Sequence, residues 1–94
     1  MNGEQRPREI RYSQRFDQEK GEIDRDVQRI DEALRWVETV LARNPEFGLQ
    51  SEVAEIWIAP MVFAETTSSA RGASIFYRFD DDFVDLLSIR ADIW

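Results

Sequence analysis

The chain contains no cysteine and no histidine. Disulfides, thiol nucleophiles, zinc sites with soft ligands and imidazole acid/base chemistry are excluded together. Lysine is nearly missing too, with Lys20 the only one. Positive charge is scarce overall: 12 basic residues face 19 acidic ones, a net charge of -7, which weighs against general attraction to nucleic acid or anionic membrane. No apolar run approaches the roughly 18 residues a membrane-spanning helix needs, and "MNGEQRPREIRYS" has no apolar leader core, so a cytoplasmic protein is expected. Whatever chemistry is present must come from carboxylates, Arg, Lys, Ser, Thr or Tyr, and no cofactor is implied.

Ninety-four residues, 43% of them hydrophobic, suffice for one small domain with a single core and are too few for two. Residues 1–8, "MNGEQRPR", are polar and aperiodic and read as a flexible arm, leaving 9–94 as the domain. Ile10, Tyr12 and Phe16 give a brief alternation that suits a short first strand. Ile23, Val27, Ile30, Leu34, Val37 and Leu41 follow at spacings of four and three, the stripe of an amphipathic helix over 22–43. Asn44-Pro45 stops it and Gly48 supports a turn. The spacing is also heptad, yet with fewer than three full heptads a helix packed on a sheet is the better reading.

After the helix the period changes. Val53, Ile56, Trp57 and Ile58 mark a strand over 52–59, ended by Pro60. Thr66 to Gly72 reads as a connecting loop. Two strands, Ala73 to Phe79 and Phe83 to Arg90, then flank Asp80-Asp81-Asp82. Setting Phe79 opposite Val84 places Tyr77 against Leu86, Arg78 against Asp85, Phe76 against Leu87 and Ile75 against Ser88. One hairpin face is then nearly all apolar. The other holds Phe76, Phe83, Leu87 and Ile89 around an Arg78/Asp85 pair, a face that a single helix leaves for a partner. The expected class is α+β: a short strand, a long amphipathic helix with room for a shorter one before it, and a small antiparallel sheet ending in a hairpin.

A helix ending in "ARNPEFG", a strand, a loop and "SIFYRFDDDFVDLLSIR" resemble the RelE/ParE toxin family of bacterial toxin-antitoxin systems. The family has an N-terminal strand, one or two helices, a strand, and a hairpin of the form aromatic-Arg-apolar, acidic turn, Val-x-apolar-apolar. The resemblance implies a bacterial protein whose partner is an antitoxin-like peptide. Its messenger-RNA-cleaving branch directs Arg and Lys at a developing phosphorane. Here Ser74 stands where that branch usually has an Arg, so Arg71 and Arg90 are the catalytic candidates that remain. The ParE-like branch binds gyrase and needs no catalytic set, which suits an acidic chain better.

The other candidate sites have plainer readings. Asp80, Asp81, Asp82 and Asp85 lack the alternation and central Gly of a calcium loop, so they read as a solubilising turn, not a metal site. Paired carboxylates for acid/base work would need a cleft that spacing does not reveal. "TTSSARG" lacks the Gly-Lys-Ser/Thr ending of a phosphate loop. Trp36, Trp57 and Trp94 are not interleaved with basic residues as stacking platforms would be, and Trp94 joins the partner-binding candidates. The expectation is an interaction module of the toxin type: Phe76, Arg78, Phe83, Asp85, Leu87, Ile89 and Trp94 meet a protein. The alternatives are a structural domain that dimerises through its sheet and, third, a ribosome-dependent endoribonuclease.

Overall fold

Ile30, Leu34, Val37 and Leu41 recur at helical spacing, and all four are buried along one side of a helix that lies on a sheet. The computed structural model describes residues 6–24, 30–62 and 70–93. Its elements are β1 (Glu9–Tyr12), α1 (Gln14–Asp24), α2 (Ile30–Arg43), a short 3-10 turn (Pro45–Phe47), β2 (Leu49–Gln50), β3 (Trp57–Val62), β4 (Ala70–Phe79) and β5 (Phe83–Ile93). The five strands form one sheet in the order β1-β5-β4-β3-β2. The class is α+β with a terminal hairpin, as the sequence predicts, but the sheet is larger and mixed. The first strand runs parallel to β5, pairing Glu9 with Phe83 and Tyr12 with Leu86, and the remaining pairs are antiparallel.

A shorter helix, α1, stands before the long one, as the expected class allows, and residues 25–29 between α1 and α2 lie outside the described residues. Ser13 opens α1 as its cap, its Oγ accepting the N–H of Phe16 at 3.0 Å. Among the described side chains of α1 only Phe16 is fully buried, and Ile23 packs partly against the core. So sparse a stripe gives little periodic signal. The second helix, α2, covers Ile30–Arg43, and Val27 lies outside the described residues. Arg8 is tied to the domain: its N–H donates to Ala42 O at 2.8 Å and its guanidinium to Asp80 O at 2.6 Å.

The strand expected over 52–59 begins only at Trp57 and runs through Pro60 to Val62. Residues 52–56 turn instead. Ser51 Oγ accepts the Val53 N–H, Ile56 donates back to Val53 O, and Glu55 takes a left-handed φ of 71°. Pro60 is tolerated because β2 pairs β3 only at Trp57 and Ile58, so the missing N–H falls on an unpaired edge. Ala70–Gly72, assigned to a loop with the Ser-, Thr-, Ala- and Gly-rich stretch before them, already belong to β4. Thr66 to Ser69 lie outside the described residues.

The hairpin register is confirmed up to a point and then slips by one. Phe79 pairs with Val84, Arg78 with Asp85 and Tyr77 with Leu86; beyond them Phe76 meets Ser88 and Ile75 meets Ile89. Leu87 is the extra residue of a β-bulge, so two β5 residues oppose one on β4. The consequence is specific: without the bulge Ile89 would turn away from the core, and with it Ile89 is 1% exposed beside Ile75. Ile89 is therefore a core residue and not part of the second face.

Tyr77, Ile75, Val84, Leu86 and Ile89 form the sheet side of the core. Ala59 and Met61 from β3, Phe16 from α1 and the stripe of α2 complete it. Tyr77 is fully buried yet carries a hydroxyl, and that hydroxyl is satisfied: it donates to Pro45 O at 2.6 Å and accepts the Gly48 N–H at 3.1 Å. Burial pushes its ionisation upward. Gly48 permits this approach, because a Cβ there would lie 2.4 Å from Ile58 O and 2.7 Å from the Tyr77 hydroxyl.

Candidate functional site

Alternation along β4 and β5 sends Tyr77, Val84 and Leu86 toward the helices, and Phe76, Arg78, Phe83 and Asp85 to the other face. On that face Ile58, Phe76, Phe83 and Leu87 are only half-buried. The parallel pairing of β1 adds a residue that the sequence reading did not include. Arg11 stands beside Asp85 in register and donates to both its carboxylate oxygens, at 2.6 and 3.1 Å. Its guanidinium also stacks over the Phe83 ring, 3.8 Å from the centroid. Arg78 approaches the same carboxylate from β4 at 3.5 Å. Asp85 thus sits between two arginines, its side chain 18% exposed while theirs are 48% and 57% exposed.

The electrostatics follow from these contacts. The Arg11 hydrogen bond is the strongest influence on Asp85 and, with Arg78, holds its carboxyl below the usual aspartate range against the opposing effect of burial. Both cations on this part of the face are thereby engaged by one anion. A polar concavity of about 530 Å³ adjoins the cluster, with Trp57 and Phe79 in its wall.

The acidic turn is what the sequence suggests. Asp80 closes it by accepting the N–H groups of Asp82 and Phe83, both at 2.8 Å, while its own N–H donates to Phe83 O. These bonds draw the Asp80 carboxyl downward. Among the described residues no group of three or more acidic side chains is arranged to hold a metal ion, and no helix is long and apolar enough to cross a membrane.

Of the other site candidates, Arg90 is exposed and pairs with Ser74 on β4. Arg71 falls in β4, its side chain outside the described residues. Trp94 is outside them altogether. The sequence reading also did not assign an apolar groove of about 360 Å³ between α2 and β3, lined by Trp36, Val37, Phe47, Met61 and Val62. Trp36 is 59% exposed and meets Phe47 edge to face at 6.0 Å. Its only signal in the sequence was a tryptophan set off the main helical stripe.

A second cluster closes the edge of β5. Where β1 stops at Tyr12, Ser13 supplies its N–H to Leu86 O and its hydroxyl to Leu87 O. Glu19 then accepts the Ser88 hydroxyl at 2.6 Å and the Ile89 N–H at 3.3 Å. Burial pushes the Glu19 carboxyl up, but these two hydrogen bonds and Arg15 outweigh it and leave it below the usual range. Helix α1 therefore finishes what β1 begins. Comparison of the chain with protein-family models, with curated proteins and with solved structures gave no match.

Proposed function

We propose that this chain is a protein-interaction module of the RelE/ParE toxin type, acting by binding a protein partner and not by catalysis. The order of strand, helices, strand and acidic hairpin supports the reading, and so does Tyr77, which ties the "NPEFG" turn to the "YRF" strand. The observation that carries it is the double engagement of Asp85. With Arg11 and Arg78 both directed at one carboxylate, the open face presents half-buried apolar side chains around an ion cluster in which Asp85 offsets one of two positive charges. Such a surface suits a protein better than a phosphate backbone, which needs a run of uncompensated positive charge. Asp85→Ala would leave two arginines facing outward and change that character.

The test is co-expression with the short helical protein that this reading requires a neighbouring reading frame to encode. Expression of the chain alone should arrest bacterial growth. The neighbour should relieve the arrest and co-purify with the wild type, but not with Phe76→Asp that still unfolds cooperatively. Absence of any effect on growth would count against the toxin reading.

A further inference from the structure

The far half of β5 has an edge that β1 does not reach. Pairing between the two ends at Leu86, while β5 continues to Ile93. Ser13 and Glu19 cover the edge as far as Ile89, and none of the described residues pairs with it beyond that point. Which groups lie there follows from alternation. The Ile89 N–H points outward, since Glu19 accepts it. Successive strand residues turn their N–H and C=O to opposite sides. Arg90 and Asp92 therefore turn theirs toward β4, and Ala91 turns both of its groups outward. Arg90 and Ala91 are exposed.

We infer that this edge pairs with the same edge of a second copy, antiparallel, about a two-fold axis through Ala91. In that register the two Ala91 residues exchange both of their backbone hydrogen bonds, as directly opposed residues of a narrow antiparallel pair do. Arg90 of each copy then stands opposite Asp92 of the other in register. The segment "RAD" is thus its own electrostatic complement when reversed, which an isologous contact requires. Shifting the centre by one residue in either direction sets Arg90 or Asp92 opposite itself, a like-charge pair at the axis. The charges that would protect an open edge from indiscriminate pairing here select one register. Glu19 already holds the Ile89 N–H, so the backbone exchange between the copies is confined to the Ala91 pair. The inference is independent of the toxin reading and of the open face, because it uses the edge of β5 alone.

Charge reversal tests it. The wild type, followed by sedimentation velocity from about 10 µM to 1 mM, should move toward twice the monomer mass as concentration rises. Arg90→Asp and Asp92→Arg should each weaken association at least about fivefold, since symmetry makes each change affect two pairs. The double variant should recover it. So should a mixture of the two single variants, because Arg90→Asp presents two acids and Asp92→Arg two bases. Recovery in the mixture also shows that the single variants are folded. A wild type that stays monomeric over the whole range overturns the inference and leaves the edge to other chains. Single variants that associate as the wild type does, or a mixture that fails to recover, overturn it equally.

Discussion

The buried hydroxyl of Tyr77 donates a 2.6 Å hydrogen bond to the carbonyl of Pro45, joining the centre of the sheet to the turn that ends α2. The same oxygen accepts the Gly48 N–H, so one phenol satisfies both buried ends of the turn. Tyr77→Phe removes the hydroxyl and leaves two buried backbone groups without a partner. It should cost about 1–3 kcal/mol in urea unfolding, where an unchanged midpoint would contradict the role. Gly48→Ala should cost a similar amount, because its methyl group would collide with Ile58 O. Combining the two should be less than additive, since both disturb the same oxygen.

The bulge at Leu87 makes a prediction about two neighbouring aliphatic residues. Ile89→Ala should lose about 2–5 kcal/mol, as a fully buried side chain does. Leu87→Ala, on the half-buried face, should lose clearly less. Equal losses, or the reverse order, would restore the unbulged register in which Ile89 faces outward.

Arg11 and Arg78 should differ in their hold on Asp85. Arg11→Ala removes a two-pronged contact at 2.6 and 3.1 Å, and Arg78→Ala removes one at 3.5 Å. The Asp85 carboxyl, followed by NMR titration, should rise further in Arg11→Ala. A larger rise in Arg78→Ala would contradict this arrangement. Both substitutions should have small effects on stability, because the two arginines are largely solvated.

Acid should loosen the fold through Glu19 and Asp85. Both carboxyls lie below their usual range in the folded chain. Each therefore contributes stability that is fully present above its unfolded pKa, near about 4, and that is lost as pH falls through the lower folded value. Urea midpoints should drop below about pH 4, and less steeply in Glu19→Gln. Equal slopes for wild type and Glu19→Gln would mean that Glu19 does not hold the edge of β5.

Local signals carried much of the fold, and long-range ones were invisible. Helix α2 showed itself through its stripe. The turn and the pairs Phe79 with Val84 and Arg78 with Asp85 were legible because hairpin partners are close in sequence and opposite in chemistry. The bulge was not, because one extra residue leaves the alternation on either side intact. Arg11 and Asp85 lie 74 positions apart, and nothing within "EIRY" announces a parallel partner. The two-residue β2 is too short for a pattern. Helix α1 is mostly polar, so its capping Ser13 was a better sign than its periodicity. Of the candidate face, Phe76, Arg78, Phe83, Asp85 and Leu87 lie together; the bulge carries Ile89 into the core, and Arg11 completes the cluster.

The central claim is that the open face acts by docking a protein and not by cleaving RNA, and growth arrest on expression in a bacterial host measures it most directly. The account predicts arrest by the wild type, undiminished arrest by the double variant Arg71→Ala/Arg90→Ala, and loss of arrest in a folded Phe76→Asp. Arrest that disappears with Arg71→Ala or Arg90→Ala while persisting in Phe76→Asp would contradict it and favour the endoribonuclease reading instead.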